Sequence, residues 1–449
     1  MNDFENDELD YFDNHENMAE KLRHYRAIIR NRKNKHYDMP SIDELEGLIE
    51  YCLIEGYFED ALHFANLWLE YFPESIDGLI KKAVILLNLG KLNEAFDLID
   101  RVLILSPYDT DALYTKSMLY EKSGNIDEAL KIISELLIEN GDNVEFLYQK
   151  AILLISKQHY NEAISILKEL IDSEISKKDI YQDLAYCYNN ISELDRAIKF
   201  YKLALAEDPF DNFLWYNLGV IYNHLQMFFK AINAFEMSLA IDSNLFISLH
   251  NLGNAYASIG RLNKAIEYYK QALNLQPADL DNLHNLASAY GDAGQYSVAI
   301  DLFTHILDIY PDYFIAYYGR GICYDAVGLP ELAIYDYNKL LKESPDYAEV
   351  WQAKGDVEYN MGHLENAIEC YKKVLELNPD NLECMLDYGI TLMELGKHND
   401  SLKILKKLIK MAPEWSEAYY AIAKVYQNLG KDSEAKTHIL FAMAIDKIK

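Results

Sequence analysis

Residues Phe246–Asp279 read FISLHNLGNAYASIGRLNKAIEYYKQALNLQPAD. Leu249, Leu252, Gly253 and Tyr256 recur at helical spacing, and after Gly260 so do Ala265, Tyr269 and Ala272. Apolar and small residues three and four apart share one face of a helix. The stretch therefore predicts two short amphipathic helices hinged at Gly260, with Pro277 marking the exit from the second.

The same pattern returns every 34 residues. Pro73, Pro107, Pro209, Pro311, Pro345, Pro379 and Pro413 lie on the register of Pro277. An alanine column runs Ala61, Ala95, Ala129, Ala163, Ala197, Ala231, Ala265, Ala299, Ala333, Ala367 and Ala435, broken by Ser401. A second small column crosses the first helices, from Ala83 and Ser117 through Gly219, Gly253 and Ala287 to Gly389 and Ala423, with Ile49 departing from it. Small side chains at a crossing let antiparallel helices approach while larger ones (Leu113, Trp215, Leu249, Trp351, Tyr419) pack around them. Glycine at the hinge, in nine copies from Gly56 to Gly430, suits a left-handed helix stop. Helices this short are marginal alone, so each hairpin depends on its neighbours. Twelve copies fill Ile42 to Lys449 without an insertion.

These columns resemble those of the tetratricopeptide repeat (TPR) family. The resemblance implies an all-α, right-handed superhelical solenoid of about twelve 34-residue helix-turn-helix units over residues 41–449. Residues 1–40 stand apart as an extension. Positions 1–20 hold eight acids and no Lys or Arg, whereas 21–36 hold seven bases and no acid. Leu22, Tyr25, Ile28 and Ile29 at helical spacing predict one capping helix there, able to dock on an acidic surface, the rest of the extension being solvated. Ser41 followed by Glu44 predicts a capping box opening the first repeat.

Composition narrows the function. The 72 acidic against 42 basic residues give a net charge of −30, which argues against a nucleic-acid partner. No apolar run reaches the length of a membrane span, and the acidic N-terminus does not read as a signal peptide. Five scattered cysteines without a CxxC pair suit small buried side chains in a reducing, cytoplasmic compartment. No phosphate-binding loop, GxSxG, HExxH or paired-Cys motif is present, so the chain reads as non-catalytic and without a cofactor.

The resemblance also implies which columns face a partner: the second, fifth, sixth, ninth, twelfth and thirteenth residues of each repeat would line the concave face. The second column is acidic in nine repeats, as helix first turns favour. Phe213, Ile247 and Ile315 replace the acid in repeats six, seven and nine. Beside them Asn217, Asn251 and Asn285 follow one another in the sixth column, with Asn254 in the ninth and Asn223 in the twelfth. Side-chain amides both donate and accept, so such a row suits an extended peptide backbone. Tyr216, His250 and His284 complete the candidate peptide-binding set. His250 and His284 stand one period apart, but hydrogen-bonding side chains are the simpler reading than a shared metal. The fifth column holds no Lys or Arg, which departs from the carboxylate clamp of chaperone-binding relatives and favours a neutral or basic protein segment.

On the second helices, Phe229 occupies a column that is otherwise polar, and Leu440 with Phe441 interrupts another. These three mark a candidate docking edge for a partner or a second copy. Two functions follow: a scaffold holding an extended polypeptide in the groove, or an assembly subunit docking through its convex face or terminal repeats.

Overall fold

The computed structural model describes residues 18–26 and 40–447. From Ile42 to Asp446 it contains twenty-four helices, paired into twelve antiparallel hairpins on the 34-residue register, and no strand occurs among the described residues. The quoted stretch forms helices Phe246–Ser258 and Leu262–Leu275.

Each hairpin turns on the same backbone device. In repeat one, the Gly56 amide donates to the Leu53 carbonyl and the Tyr57 amide donates back to Cys52. This paired closure requires a left-handed residue between the helices. The hinge glycines accordingly have φ from +70° at Gly430 to +83° at Gly124. In repeats four, five and six the hinge residue is Gln158, Ser192 or Gln226 instead, and among the described residues these are the non-glycine ones with positive φ, at +63°, +62° and +57°.

Eight of the twelve first helices start on side-chain caps. Ser41 accepts from the Glu44 amide while Glu44 accepts from the Ser41 amide, the reciprocal box anticipated from the sequence. Ser75, Asp109, Asn143, Ser176, Asp211, Asp279 and Asn381 cap seven further first helices. No second helix has a side-chain cap, because each starts directly from the hinge closure.

The two small columns are buried: Ala61, Ala95, Ala129, Ala265 and Ala367 are inaccessible, as is Ser401, whose hydroxyl donates to the Gly389 carbonyl at 2.6 Å. A Cβ on Gly253 would lie 2.5 Å from Tyr269 Cε1, and one on Gly219 would lie 2.6 Å from Phe235 Cε1. The ring of the second helix thus fills the space that the missing side chain leaves. All five cysteines are free and buried.

The chain forms two compact bodies, one ending at Pro209 and the other starting at Phe210. Within each, the second helix of one repeat packs on the first helix of the next. The twenty-fifth residue of a repeat meets the seventh of its successor: Lys116 Nζ to Asp100 at 2.8 Å, Arg320 to Thr304 at 3.0 Å, and Lys354 to Asn338 at 2.7 Å. Arg320 is further held by a bidentate pair with buried Asp336.

Residues 18–26 form a helix against repeat one. Leu22 is 2% exposed and joins the core of Leu45, Leu48, Ile49 and Cys52, with Met18 and Tyr25 packed beside it. Lys21 pairs with Glu44 at 3.1 Å and Arg26 with Asp60 at 2.6 Å. The rest of the expected capping segment, with Ala27, Ile28 and Ile29, lies outside the described residues.

Candidate peptide-binding face

All ten candidate peptide-binding residues lie on the first helices of repeats six to eight, within the second body: Asn212–His224, Phe246–Ser258 and Leu280–Asp292. The sixth residue of one helix comes beside the ninth of its predecessor. Asn254 is the hub of this contact. Its Oδ1 accepts from the Tyr269 hydroxyl at 2.7 Å and from Asn285 Nδ2 at 3.0 Å. Asn251 Nδ2 donates to the Ile247 carbonyl at 2.8 Å, and the Asn251 amide acts to lower the pKa of the Tyr216 phenol against its burial. The asparagine row is thus oriented internally, part of its donor capacity being used within the protein. Each amide has four hydrogen-bonding positions, so capacity remains.

His250 Nδ1 lies 3.2 Å from Asn282 Oδ1, and Asn282 in turn donates to the Tyr269 carbonyl at 2.7 Å. Buried Asn282, in the third column, was not legible as a site residue, although it fixes the imidazole. His284 sits between Phe303 and Tyr313, with ring centroids 5.7 and 5.6 Å away. Burial lowers its pKa against the opposing charge of Asp281, so the ring is neutral near pH 7. Its Nδ1 is buried without a partner, and so is Asn223 Oδ1. Among the described residues no three His, Cys, Asp or Glu side chains gather as a metal set.

Phe213 is 54% exposed and Ile247 half-buried, so the apolar replacements of the second column are accessible. Burial raises the Tyr216 phenol above its ordinary range. Beyond His284 a cleft of about 470 Å³ opens between repeats eight and nine. Ser288, Ile315, Tyr318 and Ile322 line it together with His284. They occupy the fifth and ninth columns of repeat eight and the second, fifth and ninth of repeat nine. The asparagine row stops there for a steric reason. Its next position is Gly319, where a Cβ would lie 2.4 Å from Phe303 Cζ.

A charged version of the same contact recurs in repeats ten and eleven. The Tyr371 hydroxyl donates to Asp356 at 2.8 Å, and Asp387 stands where repeat eight has Asn285. Burial, with Asp356 and Glu383 nearby, raises the Asp387 carboxyl to about 6. In repeat five Asp183 accepts from the Tyr148 hydroxyl at 2.7 Å, and burial likewise raises it to about 6.

The candidate docking residues are separate from this row. Phe229 is 71% exposed, and Leu440 and Phe441 are 65% and 55% exposed on the helix Asp432–Asp446.

Paired antiparallel helices on a fixed register, each crossing at a small residue, define an α-helical repeat array. The family comparison is more particular. Tetratricopeptide repeat models match residues 148–212, 212–278, 246–312, 284–348, 360–425 and 416–447. The chain belongs to the tetratricopeptide repeat family. A model of anaphase-promoting complex, cyclosome, subunit 3 matches residues 88–170. No curated protein matches the chain.

Several solved structures are similar. The C-terminal part of a TPR repeat-containing protein from Cytophaga hutchinsonii is 21% identical with a TM-score of 0.45, over 54% of this chain and 98% of that one. A tetratricopeptide repeat protein from Parabacteroides merdae is 19% identical with a TM-score of 0.45, over 56% and 100%. YrrB, described as a TPR protein with an unusual peptide-binding site, is 17% identical with a TM-score of 0.36, over 41% and 95%.

Proposed function

We propose that the chain is a non-catalytic protein-interaction scaffold that holds an extended, neutral or basic polypeptide segment along the first helices of repeats six to nine. The carrying observation is a concentration of unused polar capacity beside accessible apolar surface. Of the three buried side-chain atoms without a hydrogen bond among the described residues, two are Asn223 Oδ1 and His284 Nδ1. Such atoms are costly and persist where a site uses them. They accompany Phe213, the asparagine row and the cleft at Ile315 and Ile322. In this reading the amides orient a peptide backbone and the apolar positions take alternate side chains. The charge of −30 favours a segment that is not acidic.

An array of immobilised extended peptides of varied charge tests the reading. Wild type should retain neutral and basic sequences, and Asn251→Ala/Asn285→Ala should lose them with its helical circular dichroism unchanged. Equal retention by both proteins would remove the groove from the function.

A further inference from the structure

The edge of repeat one is built to receive a helix. Inside each body, the first helix of a repeat is covered by the preceding second helix, and three contacts locate it. Phe303, the twenty-fourth residue of repeat eight, lies over Gly319, the sixth of repeat nine. Leu69, the twenty-eighth of repeat one, lies over Gly78, the third of repeat two. The twenty-fifth residue faces the seventh, as in Asp100 with Lys116. In repeat one the corresponding third, sixth and seventh residues are Glu44, Gly47 and Leu48. The helix at 18–26 occupies those places: a Cβ on Gly47 would lie 2.7 Å from Met18 Cε, Lys21 pairs with Glu44, and Leu22 joins the cluster containing Leu48.

The opposite surface is on repeat twelve. Its twenty-fifth and twenty-eighth residues are Leu440 and Met443, 65% and 51% exposed. In the other eleven repeats the twenty-fifth residue is polar, and at three junctions it pairs with Lys116, Arg320 or Lys354 of the next repeat. Leu440 is the one apolar residue of this column, and repeat one offers it an apolar seventh residue, Leu48.

We infer that the helix at 18–26 is a built-in plug that keeps the edge of repeat one from receiving the helix Asp432–Asp446 of a second copy. The occupant follows from continuity with the inter-repeat contact: register sets Met443 over Glu44 and Leu440 over Leu48. The contact is head-to-tail, so copies joined this way extend into chains, or into rings where the rotation closes, rather than pairing isologously. The plug is released by weakening what holds it, namely the Lys21–Glu44 and Arg26–Asp60 pairs and the burial of Leu22.

Analytical ultracentrifugation of the full chain over a range of concentrations tests this. Wild type should remain monomeric. Leu22→Glu should give a weight-average mass that at least doubles and keeps rising with concentration, and adding Leu440→Glu should return it to monomer. Lys21→Glu/Arg26→Glu uncaps the edge by charge repulsion without placing a charge in the core, so it serves if Leu22→Glu loses helical signal. Uncapped protein that stays monomeric overturns the inference. So does association that Leu440→Glu leaves unchanged, since some other occupant or unspecific contact would then be responsible.

Discussion

Gln158, Ser192 and Gln226 hold a conformation that a Cβ disfavours by roughly 1–2 kcal/mol, and they hold it because the hinge closure on either side leaves no alternative. At Gly260, where φ is +72°, a Cβ would meet nothing within 4 Å, so substitution there exerts its cost through the backbone alone. Gln226→Gly is therefore expected to stabilise the protein by about 1 kcal/mol, after the greater chain entropy of glycine is subtracted, and Gly260→Gln to destabilise it by a similar amount. Urea denaturation with unchanged slope checks both. The hinge glycines were legible in the sequence through their period. The left-handed state of Gln158, Ser192 and Gln226 was not read from the sequence, since nothing in their own chemistry asks for it.

At the level of the helix pair, the small column is set by what lies across from it. Gly253 faces Tyr269, whose hydroxyl reaches on to Asn254, so the ring cannot withdraw without breaking that bond. Gly253→Ala should cost about 1–3 kcal/mol through overpacking, measured as a fall in the urea midpoint. At the equivalent position of repeat eight the residue is Ala287, and there Phe303 lies against Gly319 of the next repeat. That exchange explains much of what sequence reading could and could not see at the candidate site. Residue types by column placed Asn217, Asn251, Asn254 and Asn285 on successive first helices, and in the structure Asn254 and Asn285 touch. Asn285 bonding to Asn254, and the row stopping against Phe303, depend on side-chain direction across a repeat boundary, which period does not encode. Nor does a column reveal that Asn282 holds His250, since its own helix gives no reason for that partner.

For the molecule as a whole, a surplus of carboxylates makes pH the informative variable. Asp183 and Asp387 are each raised to about 6 by burial, with Asp179 adding to the first and Asp356 and Glu383 to the second. A carboxyl whose folded value exceeds its unfolded value near 4 binds its proton more tightly when folded, so stability falls as pH rises from about 4 to about 6, and the loss persists above that. Asp183→Asn/Asp387→Asn should raise the melting temperature at pH 8 and flatten the fall between about pH 4 and 6. The amide oxygen that replaces the Asp183 carboxylate can still accept from the Tyr148 hydroxyl, so that hydrogen bond is kept. Calorimetry across that range checks it; an unchanged slope would place the titration elsewhere. The repeat number and the hairpin fold were legible because a one-dimensional array writes the same constraints twelve times over. The division after Pro209 was not, because the 34-residue register runs through it unbroken.

The position of the plug in the chain has a consequence for biosynthesis. Translation produces residues 18–26 before any part of the surface they cover. When repeat one leaves the ribosome, its covering helix is already present at the high effective concentration of a tether. A growing chain on a crowded polysome therefore has the edge of repeat one covered before the helix Asp432–Asp446 of a neighbouring, further-advanced chain can reach it.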